Sequence, residues 1–220
     1  MIYHILTFYS DAIAPIFAIL VLTLKSNIIF EGKRYAVAFL ITASIGYGVA
    51  DVLGDIAGDN LWVYNLLPAL FSFSLVCFFN SILQTQSYRI FSLITFLSAL
   101  SYYLFNYNTI ISATYFNSNF YIVFSIIVCI NCFMYYTGEL SKMKDVAIWK
   151  TNHFWFVTCT LFYATASTFI WLFFKPLMEK AIIAQLSDNE MKYIGDLWKL
   201  HNLFFFISCI SLSIALLWKK

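Results

Sequence analysis

The sequence feature that most constrains this chain is the stretch from Leu203 to Trp218, sixteen residues without Asp, Glu, Lys or Arg. Soluble domains seldom contain such a run. Together with the residues from Gly195 onward, it gives a helix of about 24 residues, which at ~1.5 Å per residue crosses a hydrocarbon layer of ~30 Å. The stretch therefore predicts a transmembrane helix, with the polar residues 195–202 where that helix meets the membrane surface.

The composition of the whole chain points to the same environment. Hydrophobic residues make up 62% of the sequence and charged residues 11%, whereas soluble domains average about 45–50% and ~25%. The net charge of +2 is nearly balanced, and we find no nucleic-acid-binding motif. The composition therefore excludes an ordinary soluble domain, predicts the lipid bilayer as a partner, and gives no reason to expect nucleic acid.

Six further apolar segments are each long enough to cross a bilayer, and no connection is long enough to form a separate soluble domain. We therefore predict one all-α transmembrane domain, residues 1–220, built as a seven-helix bundle. The predicted helices span about residues 4–24, 35–56, 61–83, 89–106, 119–138, 153–174 and 195–218.

The connection between the last two helices carries local signals of its own. Ser187 and Glu190 have the spacing of a capping box, in which the two residues satisfy each other's backbone N–H groups, so the last helix could begin near Ser187. Pro176 is expected to end or kink the sixth helix, because proline lacks an N–H and its ring clashes with the preceding turn. Residues 178–186 would then form either an amphipathic lid on the membrane surface or a solvated hairpin.

Lysine and arginine are unevenly distributed between the two sides of the predicted bundle. With the N-terminus outside, the cytoplasmic side carries nine of these residues and the outer side four, and cytoplasmic loops are typically enriched in them. The six tryptophans, which favour the headgroup level, fall near predicted helix ends in this arrangement. We therefore predict a multi-pass protein of the cell membrane, a bacterial inner membrane, with the N-terminus outside and the C-terminus in the cytoplasm.

The sequence offers no complete set of cofactor or metal ligands. Cys129 and Cys132 match the C-x-x-C spacing, but all five cysteines lie in apolar segments and no second pair exists. Lys199 lies too near the end of the last helix for a retinal-binding lysine. A seven-helix zinc hydrolase needs three histidines, and His153 is predicted at the opposite side of the membrane from His201. We therefore expect no metal and no cofactor.

Polar side chains within the predicted helices are the best candidates for function, since an ionisable residue costs about 2.5–3.5 kcal/mol to insert into a bilayer. Asp11, Asp51 and His201 lie at similar depth below the outer ends of three helices, and Asn65 and Asn202 fall in the same layer. These five residues predict an outward-facing polar pocket that binds a ligand. The alternative is a structural role in which each side chain only satisfies hydrogen bonds within the bundle.

Asp55 and Lys199 complete the predicted ligand site. Asp55 lies four residues after Asp51, so both carboxylates point to one face of the second helix, where they would repel unless they share a proton or bind a cation. The alternative is that Asp55 is hydrated in the following loop. Lys199 has the spacing to contact Asn202 or to pair with Asp196, and the second contact would be purely structural.

Two short motifs carry a resemblance to other membrane proteins. The sequence NHFWF at residues 152–156 and the sequence LWKLHN at residues 197–202 resemble those that open the sixth and seventh helices of small bacterial seven-helix proteins. Some of these proteins resemble the membrane sensor regions of histidine kinases. The resemblance covers the last third of the chain and implies a sensory role but no catalytic residues. With no kinase region after Lys220, it also implies a separate signalling partner.

Three functions remain open from the sequence. The first is a membrane sensor or protein-interaction module that signals to, or assembles with, a separate cytoplasmic or membrane protein, or with further copies of itself. The second is a pore or transporter subunit in which the carboxylates bind ions or protons. The third is an intramembrane enzyme. We assign no catalytic residue, because no complete nucleophile–base or metal set can be assembled.

Overall fold

The computed structural model describes residues 10–25, 28, 30–58, 60–106, 108, 116–141, 148–183 and 186–218, and every regular element among them is helical. The helices are α1 (Ser10–Leu24), α2 (Lys33–Ala57), α3 (Leu61–Ile82), α4 (Gln86–Phe105), α5 (Ser118–Leu140), α6 (Asn152–Ile183) and α7 (Asp188–Trp218). A short 3₁₀ turn at Ile148–Lys150 precedes α6. The predicted all-helical fold is confirmed for these residues.

Six of the helices, α2 to α7, are long and apolar enough to cross a membrane. Helix α1 is apolar but has only 15 residues, and its predicted beginning near residue 4 lies outside the described residues. These helices support a multi-pass membrane protein. Seven crossings and the side on which each terminus lies stay predictions.

Helix α6 extends well beyond its predicted end at residue 174. It continues through Pro176 to Ile183, so the helix does not end at the proline. Membrane helices tolerate proline because neighbouring groups and small local adjustments satisfy the backbone groups that it frees. For residues 178–186 the sequence left open a lid or a solvated hairpin, and the structure shows that residues 178–183 are instead the last turns of α6. Residues 184 and 185 lie outside the described part of the chain.

The beginning of α7 confirms the capping box. The backbone N–H of Glu190 donates to the hydroxyl of Ser187 at 3.4 Å, and the Glu190 carboxylate accepts from the backbone N–H of Ser187 at 3.0 Å and from its hydroxyl at 2.8 Å. The same carboxylate forms an ion pair with Lys180 near the end of α6. These contacts begin α7 two turns before its predicted start and tie it to α6.

The helices form a closed ring around an apolar core. Helix α1 packs against α2 and α7, α3 packs against α2 and α5, and α6 packs against α5 and α7. Helix α4 lies outside this ring, against α3 and α5. Closure of the ring between the first and last helices brings residues that are far apart in sequence into one interior.

Large apolar side chains cover the outside of the ring. Phe73, Phe133 and Phe169 are 75%, 59% and 60% exposed. In water, a continuous apolar surface of this kind would drive association, whereas lipid tails solvate it well. The exterior of the bundle therefore supports a lipid environment. Trp171 does not contribute to this exterior, because it is completely buried among other aromatic rings.

Helices α1 and α2 approach closely because the residues that face each other are small. A Cβ atom placed on Gly48 would lie 3.6 Å from that of Ala12, and the hydroxyl of Ser44 donates a 2.6 Å hydrogen bond to the Ala12 carbonyl. Small residues allow this kind of close packing between membrane helices. Ser44, Gly48 and Asp51 follow one face of α2. The same face that packs on α1 therefore carries Asp51.

The two ends of the bundle differ in charge, and we name them accordingly. The acidic end contains Asp11 and Asp51, and the basic end contains Lys33, Arg34 and Arg89. Arg34 and Asp51 are about 25 Å apart along α2 at ~1.5 Å per residue, a separation close to the ~30 Å thickness of a hydrocarbon layer.

Candidate functional site

The acidic end brings together two carboxyl groups from neighbouring helices. Asp11 on α1 is fully buried, Asp51 on α2 is partly buried, and their carboxyl groups lie within hydrogen-bonding reach of each other. One oxygen of Asp11 accepts from the backbone N–H of Ala12 at 2.9 Å. The second oxygen of each carboxyl group has no protein donor among the described residues. A proton shared by the two groups, or a cation between them, would satisfy both.

Asp51 is also held by a tyrosine from α3. The hydroxyl of Tyr64 donates a 2.6 Å hydrogen bond to Oδ1 of Asp51. The backbone carbonyl of Tyr64 in turn accepts from the hydroxyl of Tyr121 on α5 at 2.6 Å. Burial leaves a hydroxyl few alternatives to a protein acceptor, so these bonds orient the Tyr64 ring. The carboxyl pair is thereby connected to α3 and α5.

A second polar chain begins at Tyr47, whose ring packs against that of Tyr64 with centroids 6.1 Å apart. Tyr47, one turn before Asp51 on α2, shares a 3.1 Å hydrogen bond with the hydroxyl of Tyr163 on α6. That hydroxyl lies 3.2 Å from Nε2 of His201 on α7, and Oγ of Ser167 lies 3.3 Å from Nδ1 of the same ring. The imidazole is therefore held between two hydroxyls. The histidine of a catalytic triad, by contrast, is held by a carboxylate.

Aromatic rings enclose His201 on its remaining sides. The ring centroid of Trp171 lies 4.5 Å from that of the imidazole, and the ring centroid of Trp198 lies 6.3 Å from it. Trp198 also makes an edge contact with Tyr64, with ring centroids 4.6 Å apart. Trp198 therefore touches both parts of the cluster: the ring that binds Asp51 and the imidazole. We call Asp11, Tyr47, Asp51, Tyr64, Tyr163 and His201 the polar cluster.

Asn65 follows Tyr64 on α3, and its side chain contacts the beginning of α5. Its side chain is buried, and Oδ1 accepts a 2.9 Å hydrogen bond from the backbone N–H of Asn117. Asn117 is the residue before α5, and its own side chain accepts from the N–H of Phe120 as a helix cap. Asn65 thus positions the beginning of α5 beside the cluster.

The remaining predicted site residues, Asn202, Asp55 and Lys199, are not members of the polar cluster. Asn202 is buried, and its Oδ1 has no partner among the described residues. Asp55 is exposed one turn beyond Asp51, close enough to add negative charge near it. Lys199 is exposed and pairs with Asp196 at 3.2 Å, the structural contact expected from their spacing. A direct role for Asp55 or Lys199 in an enclosed site is therefore not supported by their positions.

The tyrosines of the cluster were not predicted from the sequence. Fifteen tyrosines occur in the chain, and most of them suggested only packing and lipid contact. One signal was present: Tyr47 precedes Asp51 by four residues, so the two share a face of α2. The corresponding partners on α3 and α6 could not be found without knowing which helices are neighbours.

A layer of phenylalanines separates the polar cluster from the basic end. Phe39 packs against Phe71 and Phe156 at ring distances of 5.2 and 6.2 Å, and Phe156 packs against Phe78 at 4.5 Å. All four side chains are buried. Their rings offer no hydrogen-bonding groups to water or ions. The core below the cluster is therefore mainly aromatic at this level, with the buried hydroxyls of Ser125, Thr160 and Ser208 beside these rings.

Two cysteines of α5 contact α6. Cys132 donates to the carbonyl of Val157 at 3.7 Å, and Cys129 lies 3.6 Å from the hydroxyl of Thr165. All five thiols are free. No group of three His, Cys, Asp or Glu side chains in the described ranges has the geometry of a metal site.

Comparison with protein-family models, with curated protein sequences and with solved structures finds no match to this chain.

Proposed function

We propose that this protein is an integral membrane sensor whose sensing element is the Asp11–Asp51 carboxyl pair. The observation that carries the proposal is that both groups are drawn together from different helices while no described lysine or arginine pairs with them. Two adjacent carboxylates removed from water are stable only when a proton or a cation neutralises one of them. Binding of a proton at this pair is the simplest signal that the cluster can register.

The contacts of the pair provide a route from binding to a change in helix packing. Loss of the shared proton would set two negative charges against each other across the α1–α2 interface. The charge on Asp51, which accepts the hydrogen bond of the Tyr64 hydroxyl, would then change, and the Tyr64 ring would shift with it. The edge contact between Tyr64 and Trp198 would carry this shift to α7. A signal can shift a population of conformations only if it binds them with different affinity. Repulsion between Asp11 and Asp51 supplies such a difference.

The phenylalanine layer favours a sensor over the main alternative, a transporter or pore for ions or protons. Transport requires a polar path through the bundle, whereas Phe39, Phe71 and Phe156 lie between the cluster and the basic end. In the proposed role, the basic end communicates with a separate cytoplasmic or membrane partner, or with another copy of the chain. The orientation and the bacterial inner membrane remain part of this proposal, as does the resemblance to histidine kinase sensor regions.

Tryptophan fluorescence during a pH titration tests the proposal. The protein in lipid nanodiscs should show a pH-dependent change in emission, because Trp198 touches the tyrosine that binds Asp51. Asp51→Asn and Asp11→Asn should abolish the transition, and Trp198→Phe should remove most of its amplitude. Asp55→Asn is the matched control, since Asp55 is exposed one turn away. An unchanged transition in both Asp11→Asn and Asp51→Asn would disprove the sensing role of the pair.

Reconstituted vesicles separate the sensor from the transporter. With a pH-sensitive dye inside the vesicles and an imposed pH gradient, a sensor should leave the gradient intact over the time in which the fluorescence transition is complete. If the wild-type protein dissipates the gradient and the Asp51→Asn variant does not, the transporter is favoured instead.

A further inference from the structure

The basic end contains a cavity of about 750 Å³ whose lining is rich in positive charge. It lies between the beginnings of α2 and α4 and the end of α3. Lys33, Arg34 and Arg89 line it, with Glu31 as the acidic side chain among its lining residues. Gly32, the N-cap residue before α2, provides no side-chain cap, so the positive end of the helix dipole also faces this region. The cavity is suited to an anionic group.

The cations of this cavity are positioned by neutral groups and form no ion pair with a described carboxylate. Lys33 donates to the carbonyl of Ile28 at 2.7 Å, and Nε of Arg89 donates to the carbonyl of Leu83 at 2.6 Å. The guanidinium of Arg34 lies over the ring of Tyr35, 4.6 Å from its centre. Oriented in this way, each cation keeps N–H groups that can donate to a phosphate.

An apolar groove of about 570 Å³ continues from this cavity along α3 and α4. The two share Arg34, Tyr35, Asn80 and Ser81, so the charged mouth opens directly into the groove. From Asn80 to Ala69 the groove follows α3 for about 17 Å at ~1.5 Å per residue, close to half of a ~30 Å hydrocarbon layer. Its length therefore matches one leaflet of a bilayer.

We propose that the groove and its basic mouth bind one anionic membrane phospholipid, with the phosphate at Arg34 and Arg89 and an acyl chain between α3 and α4. Phe73 and Leu97, which line the groove, are also exposed on the outside of the bundle. The occupant can therefore enter sideways from the bilayer. A positive mouth joined to an apolar groove of leaflet length complements a molecule that is anionic at one end and apolar along the rest. The proposal does not depend on the sensing role of the polar cluster.

Lipid retention measured by native mass spectrometry tests this site. The protein is released from micelles containing equal amounts of phosphatidylglycerol and phosphatidylcholine, and the bound lipid is counted. Wild type should retain phosphatidylglycerol, and Arg34→Gln with Arg89→Gln should lower its apparent affinity roughly 10- to 30-fold, as expected for two cations near a lipid phosphate. Lys175→Gln with Lys192→Gln removes two cations near the acidic end and should leave retention unchanged.

The acyl-chain part of the site needs a variant of its own. Leu97→Trp fills the groove and should reduce retention of phosphatidylglycerol, whereas Ile94→Trp, on the same helix but outside the groove lining, should not. Excess inorganic phosphate should compete poorly, because it lacks the chain. The proposal fails if the arginine variant retains lipid as wild type does, or if phosphate alone displaces the lipid. It also fails if Leu97→Trp changes the oligomeric state while lipid retention is unaltered, because the groove would then be a protein interface.

Discussion

Tyr64 on α3 donates a 2.6 Å hydrogen bond to Asp51 on α2, and Asp51 in turn faces Asp11 on α1. Three consecutive helices of the ring therefore meet at one carboxyl group. Tyr64 also touches Trp198 on α7, which extends the junction to the last helix. A change of charge at Asp51 acts at the point where four helices are joined, and this makes the residue a suitable place for a signal to enter.

Tyr64→Phe should destabilise the protein more than Tyr121→Phe. The first change removes a hydrogen bond to a carboxyl group, at about 1.5–3 kcal/mol when the acceptor is charged, and the second removes a bond to a backbone carbonyl, at about 1 kcal/mol. Thermal unfolding in detergent measures both. Equal losses would indicate that Asp51 accepts the bond in its neutral form and would contradict this ranking.

Asn65→Leu should loosen the beginning of α5. The substitution removes the acceptor for the N–H of Asn117, and a lost buried hydrogen bond costs about 1–3 kcal/mol. Asn131→Leu is the matched control, because Asn131 is equally buried but donates its hydrogen bond to the carbonyl of Ile127 on its own helix. Amide hydrogen exchange should increase near residue 117 in Asn65→Leu alone. Equal exchange in the two variants would contradict the positioning role.

Lys25→Met should weaken the contact between α1 and α7 at the basic end. The ammonium group of Lys25 donates to the carbonyls of Leu216 and Leu217 at 3.0 Å each, where the last turn of α7 leaves carbonyls without helical partners. We expect a loss of about 1–2 kcal/mol, since a cation at a helix C-terminus also complements the dipole. Lys175→Met, which removes an exposed ion pair to Glu179, should change stability by less than about 0.5 kcal/mol. Thermal unfolding of the two variants provides the comparison.

Two glycine substitutions should have opposite effects. Gly195→Ala should stabilise the protein by about 0.5–1 kcal/mol, because Gly195 lies within α7 and an added Cβ meets no atom within 4 Å. Gly32→Ala should destabilise it, because Gly32 has a φ of 77° and the added Cβ would clash with Oγ of Ser81. Denaturant or thermal unfolding measures both shifts. Stabilisation by Gly32→Ala would mean that the turn before α2 differs from the one described.

The polar layer was predicted in part from single residues. Depth below the helix ends predicted that Asp11, Asp51 and His201 share one layer. The structure brings Asp11 to Asp51 and links His201 to Tyr163 and Tyr47, the residue one turn before Asp51. Whether they bind a ligand stays a prediction. Helix periodicity gave Asp51 and Asp55 the same face, but only Asp51 is enclosed, because Asp55 lies one turn nearer to the end of α2.

The sequence by itself determined that the elements of this protein are helices, most of them apolar and long enough to cross a membrane, and that a capping box begins the last of them. These properties depend on composition and on contacts between residues a few positions apart, which any single segment reveals. Only the tertiary structure decided that Asp11 meets Asp51, that Tyr163 reaches His201, and that a basic mouth opens into a groove between α3 and α4. The rotation of each helix and the identity of its neighbours depend on packing between side chains far apart in the chain, and no single segment carries that information.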